Sequence, residues 1–115
     1  MRLILIRHGE TDANLLMRWS GSKDLEITNL TNAGKSQAQE LGCWFKKENF
    51  IPTHVYVSPQ KRAQDTARLA GAHWNVPFIT IDDLKETGAG IFEGLTWNEI
   101  EARYPKQAAN FKDSR

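Results

Sequence analysis

Leu3-Ile4-Leu5-Ile6-Arg7-His8-Gly9-Glu10-Thr11 is the stretch whose reading decides the fold. Four apolar residues, two of them β-branched, run directly into a cation, an imidazole and a glycine. The apolar run reads as a short strand buried on both faces, the pattern of a parallel sheet. Residues that follow such a strand lie at the carboxyl edge of the sheet, where open α/β folds bind ligands. Arg7 and His8, beside a glycine that admits close backbone approach, suit an anion there. A strand that merely ends in polar residues is the plain alternative, so the rest of the chain has to decide.

Outward from this stretch, 9–30 is rich in Gly, Asn, Ser, Asp and Thr without lasting periodicity and reads as a loop. A short helix is expected within 12–18, capped by Thr11 or Asp12. Thr31 opens a longer helix to about Lys47, with Ala38, Leu41 and Phe45 as its apolar face and Trp44 adjacent. Gly34 and Gly42 weaken that helix by roughly 1 kcal/mol each relative to Ala. Phe50-Ile51-Pro52 ends it, and His54-Val55-Tyr56-Val57-Ser58 reads as a second strand.

Ser58-Pro59 is a helix-start signal, predicting a helix to about Ala70 with Ala63, Thr66, Ala67 and Ala70 on one face. Gly71 stops it. Val76–Ile81 reads as a third strand, and 82–95, with Gly88, Gly90 and Gly94, as a loop. Thr96-Trp97-Asn98-Glu99 has the form of a capping box, so a helix runs to about Arg103 and Tyr104-Pro105 interrupts it. A short helical turn is expected over 106–112. Strand, helix, strand, helix, strand with short connections is the order of βαβ units. Three strands make a small parallel sheet with exposed edges, which a homodimer would cover.

The 115 residues fit one domain. A hydrophobic content of 40% and a charged content of 25% are those of a globular protein, and the net charge of +1 gives no reason to expect nucleic acid or an anionic membrane as partner. One cysteine, Cys43, excludes an intrachain disulfide and reads as a small packing residue in its helix. No run is long enough to span a bilayer, and the cytoplasm is the expected compartment. His8, His54 and His73 have no metal-ligand spacing, so no metal is expected, and no other cofactor is expected either.

Arg62 is the second informative residue, because it falls in the first turn of the helix after strand two. A helix N-terminus already favours anions, and a guanidinium adds donors matched to phosphate oxygens. A single arginine on a helix is ordinarily a solvated surface residue. Two strand-to-helix junctions opening on one sheet edge instead allow Arg7 and Arg62 to converge on one anion beside His8.

Together these blocks resemble the histidine phosphatase superfamily, also called phosphoglycerate mutase-like. Arg7-His8-Gly9-Glu10-Thr11 with Asn14 matches its signature, and Leu30-Thr31-x-x-Gly34-x-x-Gln37-Ala38 the next block. Ser58-Pro59-x-x-Arg62-Ala63-x-x-Thr66-Ala67 matches the third, and Leu84-x-Glu86 followed by Gly90 and Phe92-Glu93-Gly94-Leu95-Thr96 the fourth. The resemblance implies a three-layer α/β/α fold with a mostly parallel sheet.

It also implies that His8 is the nucleophile, that Arg7 and Arg62 hold the phosphoryl oxygens, and that Glu86 is the acid and base. Asn14, Ser20 and Gly21 fall where family members contact phosphate or substrate. The Phe92–Thr96 form is closer to the phosphatase branch than to the mutase branch. The implied activity is hydrolysis of a small phosphomonoester through phosphohistidine, with mutase-type transfer or non-catalytic phosphate binding as alternatives. The family carries a second catalytic histidine in a late His-Gly turn. His54 and His73 are at the wrong ends of their elements to replace it, so the expectation is a single domain, 1–115, truncated at its C-terminus, with a complete short protein that compensates by self-association as the alternative.

Overall fold

A computed structural model describes residues 1–21, 24–86 and 92–113. Gly88 and Gly90, singled out above as loop and motif residues, lie outside the described residues, as do Ser22 and Lys23 of the 9–30 loop. The elements in order are α1 (Asp12–Leu15), a 3-10 turn (Glu26–Thr28), α2 (Asn32–Lys47), β1 (Val55–Val57), α3 (Lys61–Ala70), β2 (Phe78–Thr80), a second 3-10 turn (Asp82–Leu84), α4 (Trp97–Arg103) and α5 (Pro105–Asp113). The last helix is longer than the expected turn over 106–112.

β1 and β2 pair in parallel, with Val55 opposite Phe78 and Val57 opposite Thr80. The expected first strand does not form. Leu3, Ile4, Leu5 and Ile6 are 73%, 38%, 86% and 44% exposed, and no described strand lies beside them. The run has the composition of a strand covered on both faces. Pairing and burial come from neighbours, and the two described strands are already paired with each other.

Helices α2 and α3 pack against each other, and small residues decide how closely. The buried face of α2 is Gly34, Ala38, Gly42 and Phe45 rather than one centred on Leu41, and Trp44 is exposed. A Cβ on Gly42 would lie 3.0 Å from the Leu69 and Ala70 carbonyl oxygens, so this glycine sets the helix separation. Cys43, expected to pack, is exposed because it lies off that face. Phe45 meets Phe50 and Trp74 at ring-centroid distances of 5.2 and 5.0 Å, while the Trp74 indole N–H donates to the Phe50 carbonyl at 2.9 Å. Complete burial of a Phe side chain stabilises by roughly 1.5–3 kcal/mol. A second aromatic group, Trp19, Phe92, Trp97 and Phe111, joins the 18–21 segment to α4 and α5.

Helix α3 begins at Lys61, with Gln60 as its N-cap, two residues later than the Ser58-Pro59 start predicts. Ser58 Oγ instead accepts from the Gln60 N–H at 3.3 Å, forming a small turn before the helix. The delay places Arg62, Thr66 and Ala70 four residues apart on the buried face.

Candidate active site

The His8 segment is held between two helices. Thr31 caps α2 by accepting from the Gly34 N–H at 3.0 Å, while its own N–H donates to the Glu10 carbonyl at 2.9 Å. Gln37 Oε1 accepts from the Glu10 N–H at 3.0 Å. A Cβ on Gly9 would stand 2.5 Å from the Gly34 carbonyl oxygen, and one on Gly34 would meet the Glu10 backbone. Both glycines of the motif blocks are therefore contact points between the segment and α2. From the other side, Thr66 Oγ accepts from the Gly9 N–H at 3.1 Å and donates to the Arg62 carbonyl at 2.7 Å.

His8 is half-buried, and its Nδ1 lies 2.8 Å from the Gly9 carbonyl oxygen. A carbonyl only accepts, so this bond places the proton on Nδ1 and leaves the Nε2 lone pair of the neutral ring available for attack.

Arg62 is 1% exposed. Its Nη2 donates to the Gly21 carbonyl at 2.9 Å and to Glu86 Oε2 at 2.6 Å, whereas Nε and Nη1 have no hydrogen-bond partner among the described residues. Buried donors are ordinarily satisfied, and a buried guanidinium with two idle nitrogens is costly unless an anion meets them. Glu86 is exposed at its other side, 55% by side chain, so the pair opens to solvent through the carboxylate.

The structure thus joins Arg62, Glu86 and Gly21 directly, and connects His8 to them through Gly9 and Thr66. It does not bring Arg7 to Arg62, because Arg7 is exposed and makes no hydrogen bond or ion pair among the described residues. Asn14 Oδ1 accepts from the Thr11 N–H at 3.0 Å, closing the box that caps α1. Ser20 is half-buried beside Gly21. Gly21 adopts φ +69°, and a Cβ there would run into the Glu93 carboxylate. His54 and His73 lie away from this group, before β1 and after α3.

Gln60 and Arg18 were not flagged by sequence, and Thr66 and Glu99 were named there only as a motif residue and a capping-box residue, not as partners of Gly9 and Arg18. Arg18 donates to both Glu99 carboxylate oxygens, at 2.8 and 3.0 Å, and to the Gly94 carbonyl at 2.8 Å. The Arg18 hydrogen bonds hold the Glu99 carboxyl below the usual carboxylate range, aided by the Thr96 N–H and opposed by burial. With Trp19 N–H donating to Leu95 O and Gly94 N–H to Trp19 O, these bonds fasten 18–21 onto 92–96. The capping box at Thr96 and Glu99 was the one sequence signal for this clasp.

The family model for the histidine phosphatase superfamily (branch 1) matches residues 3–115. The chain belongs to that superfamily. It is 39% identical over 101 residues to a protein of Bacillus subtilis (strain 168) named uncharacterized phosphatase PhoE, covering 88% of this chain and 50% of that one. It is 36% identical over 106 residues to a 2,3-bisphosphoglycerate-dependent phosphoglycerate mutase of Maricaulis maris, covering 90% and 42%. The crystal structure of an alpha-ribazole phosphatase from Shigella flexneri superposes with a TM-score of 0.85 at 30% identity, covering 94% of this chain and 51% of that one. The fold is accordingly phosphoglycerate mutase-like α/β, and the chain spans about half the length of these relatives. Among the described residues no helix is long and apolar enough to cross a membrane.

Proposed function

We propose that this chain carries the nucleophile-bearing side of the active site of a phosphoric monoester hydrolase acting on a small phosphorylated metabolite. The observation that supports it best is Arg62, buried to 1% exposure with Nε and Nη1 idle, on the helix tied to the His8-Gly9 turn. His8 Nε2 attacks phosphorus, forming a P–N bond as the ester P–O bond breaks, and Glu86, having taken the proton carried in by the phosphomonoester monoanion, passes it to the leaving oxygen. Water then attacks the phosphohistidine, losing its proton to Glu86 as the P–N bond breaks and phosphate departs. Arg62 binds and stabilises the phosphoryl oxygens throughout, with the exposed Arg7 as a second cation. Asn14, Ser20 and Gly21 border the substrate in this reading, which needs no cofactor. A cytoplasmic setting accords with a single cysteine. We also infer that a second copy of the chain covers the bare Leu3–Ile6 run and the open edge of β1.

Hydrolysis of p-nitrophenyl phosphate tests the proposal. Release of phosphate by the chain and its loss in His8→Ala are expected, and equal rates in the two would overturn it. A phosphate-induced rise in melting temperature without turnover would favour a binding domain, and an isomerised phosphoglycerate would favour the mutase alternative.

A further inference from the structure

Gln60 occupies the N-cap of α3, where a side chain ordinarily turns back to accept from the first N–H groups of its own helix. It makes no such bond. Its side chain, 5% exposed, reaches outward in two directions. Nε2 donates to the Gly21 carbonyl at 2.8 Å, and Oε1 accepts from the Glu86 backbone N–H at 3.3 Å. A carbonyl can only accept and a peptide N–H only donate, so the orientation of this amide is fixed by its partners. Arg62 Nη2 donates to the same Gly21 oxygen and to Glu86 Oε2. The four residues therefore close a ring: Gln60 to Gly21, Gly21 to Arg62, Arg62 to Glu86 through its carboxylate, and Glu86 back to Gln60 through its N–H.

We infer that Gln60 is a positioning residue which, through this ring, sets the Glu86 carboxylate beside Arg62 and ties it to the turn carrying Gly21. The inference rests on the proposed roles of Glu86 and Arg62. An aliphatic side chain of similar size fills the same space without either link. Glu86, exposed on its outer side, then keeps its Arg62 bond as its one side-chain link among the described residues.

A double-mutant cycle read by inorganic phosphate binding tests this. Charged Glu86 repels an anion on Arg62, so E86Q is expected to bind phosphate about fivefold more tightly. Q60L, by freeing Glu86 toward water, is expected to tighten binding in the same direction, and Q60L/E86Q to bind no more tightly than E86Q alone. A purely structural role would weaken binding in both backgrounds, and that result, or full additivity, overturns the inference. Should Q60L fail to fold, Gln60→Asn, whose amide is too short for both links, enters the same cycle. The Glu86 amide, which donates to Gln60 Oε1, is expected to exchange faster in the Gln60 variant than in the unsubstituted chain, and equal rates also count against it. Phosphate binding that does not require Arg62 would instead overturn the proposed function itself.

Discussion

Arg62 Nη2 stands 2.6 Å from Glu86 Oε2 and 2.9 Å from the Gly21 carbonyl, while Nε and Nη1 of the same guanidinium are buried and idle. One nitrogen serves two acceptors and two serve none. Such a group lowers the stability of the free chain and gains it back from an anion. Arg62→Met is therefore expected to change the melting temperature in phosphate-free buffer little, or to raise it, because the partner it leaves, Glu86, is 55% exposed and stays in water rather than as an unpaired buried charge. The same variant is expected to lose any phosphate-induced rise. Thermal melts with and without phosphate measure both, and a large loss of stability in phosphate-free buffer would contradict the account.

Thr66 holds Gly9 by one bond, accepting its N–H at 3.1 Å, and Gly9 is buried. Thr66→Val keeps the shape and removes the acceptor. A buried N–H left without a partner costs about 1–3 kcal/mol, which denaturant unfolding should show. Because Gly9 also supplies the carbonyl that fixes the His8 ring, the proposed hydrolysis should fall more than stability alone would require. Activity retained at the level of the unsubstituted chain would separate His8 from α3.

Gly21 and Gly94 both have positive φ, +69° and +81°, but their surroundings differ. At Gly94 the nearest atom to an added Cβ is Leu25 Cδ1 at 3.6 Å, an ordinary contact, so Ala there meets backbone strain alone, about 1 kcal/mol. At Gly21 the Cβ also strikes the Glu93 carboxylate, and the carbonyl it would displace is the one that receives Arg62 and Gln60. Gly21→Ala is expected to be the more destabilising, by about 1–3 kcal/mol in total, and the only one of the two to weaken phosphate binding. Equal losses in the two variants would remove the special place given to Gly21.

How far the sequence carries is clearest at particular residues. Thr31 and the Thr96–Glu99 box were legible because a cap is a local bond between residues three apart. Arg62 and Glu86 were placed by motif, and their mutual distance could not be read from it, since the ion pair joins the first turn of α3 to the segment after β2. Gln60 gave no signal at all: its partners are backbone groups of Gly21 and Glu86, and any residue could supply those. Leu3–Ile6 was read as a buried strand because composition reports what a segment can tolerate, whereas pairing depends on what lies beside it. Gly34 and Gly42 were read as helix weaknesses. Against Glu10 and Ala70 they are the points of closest approach.

The Arg18–Glu99 pair gives the clasp between 18–21 and 92–96 a pH dependence of known sign. Arg18 depresses the Glu99 carboxyl below its ordinary 4.5 in the folded chain. Its contribution is therefore complete above the unfolded value and is lost as pH falls through the lower folded one. Unfolding midpoints between about pH 6 and pH 3 should decline more for the unsubstituted chain than for Glu99→Gln, which carries no titrating group there. Parallel declines would show that the clasp does not depend on the carboxylate.

The bare N-terminal run and the open side of β1 belong to the same chain, so one copy offers what another lacks. Leu3 and Leu5 are 73% and 86% exposed, and Tyr56 in β1 and Ile79 in β2 are exposed as well. The radius of gyration, 16.5 Å, exceeds the roughly 13 Å of a 100-residue domain, as an extended apolar arm and two separate aromatic clusters would produce. Two copies can lay Leu3–Ile6 of each against β1 of the other, an exchange that is two-fold symmetric and closes on itself. Light scattering is then expected to give twice the 13.1 kDa of one chain. Leu5→Lys, at a position already open to solvent, should return the monomer without lowering its stability, because a lysine on an exposed edge opposes pairing while leaving the aromatic core untouched. A monomer in the unsubstituted chain at every concentration would overturn this exchange and leave the apolar arm to another partner.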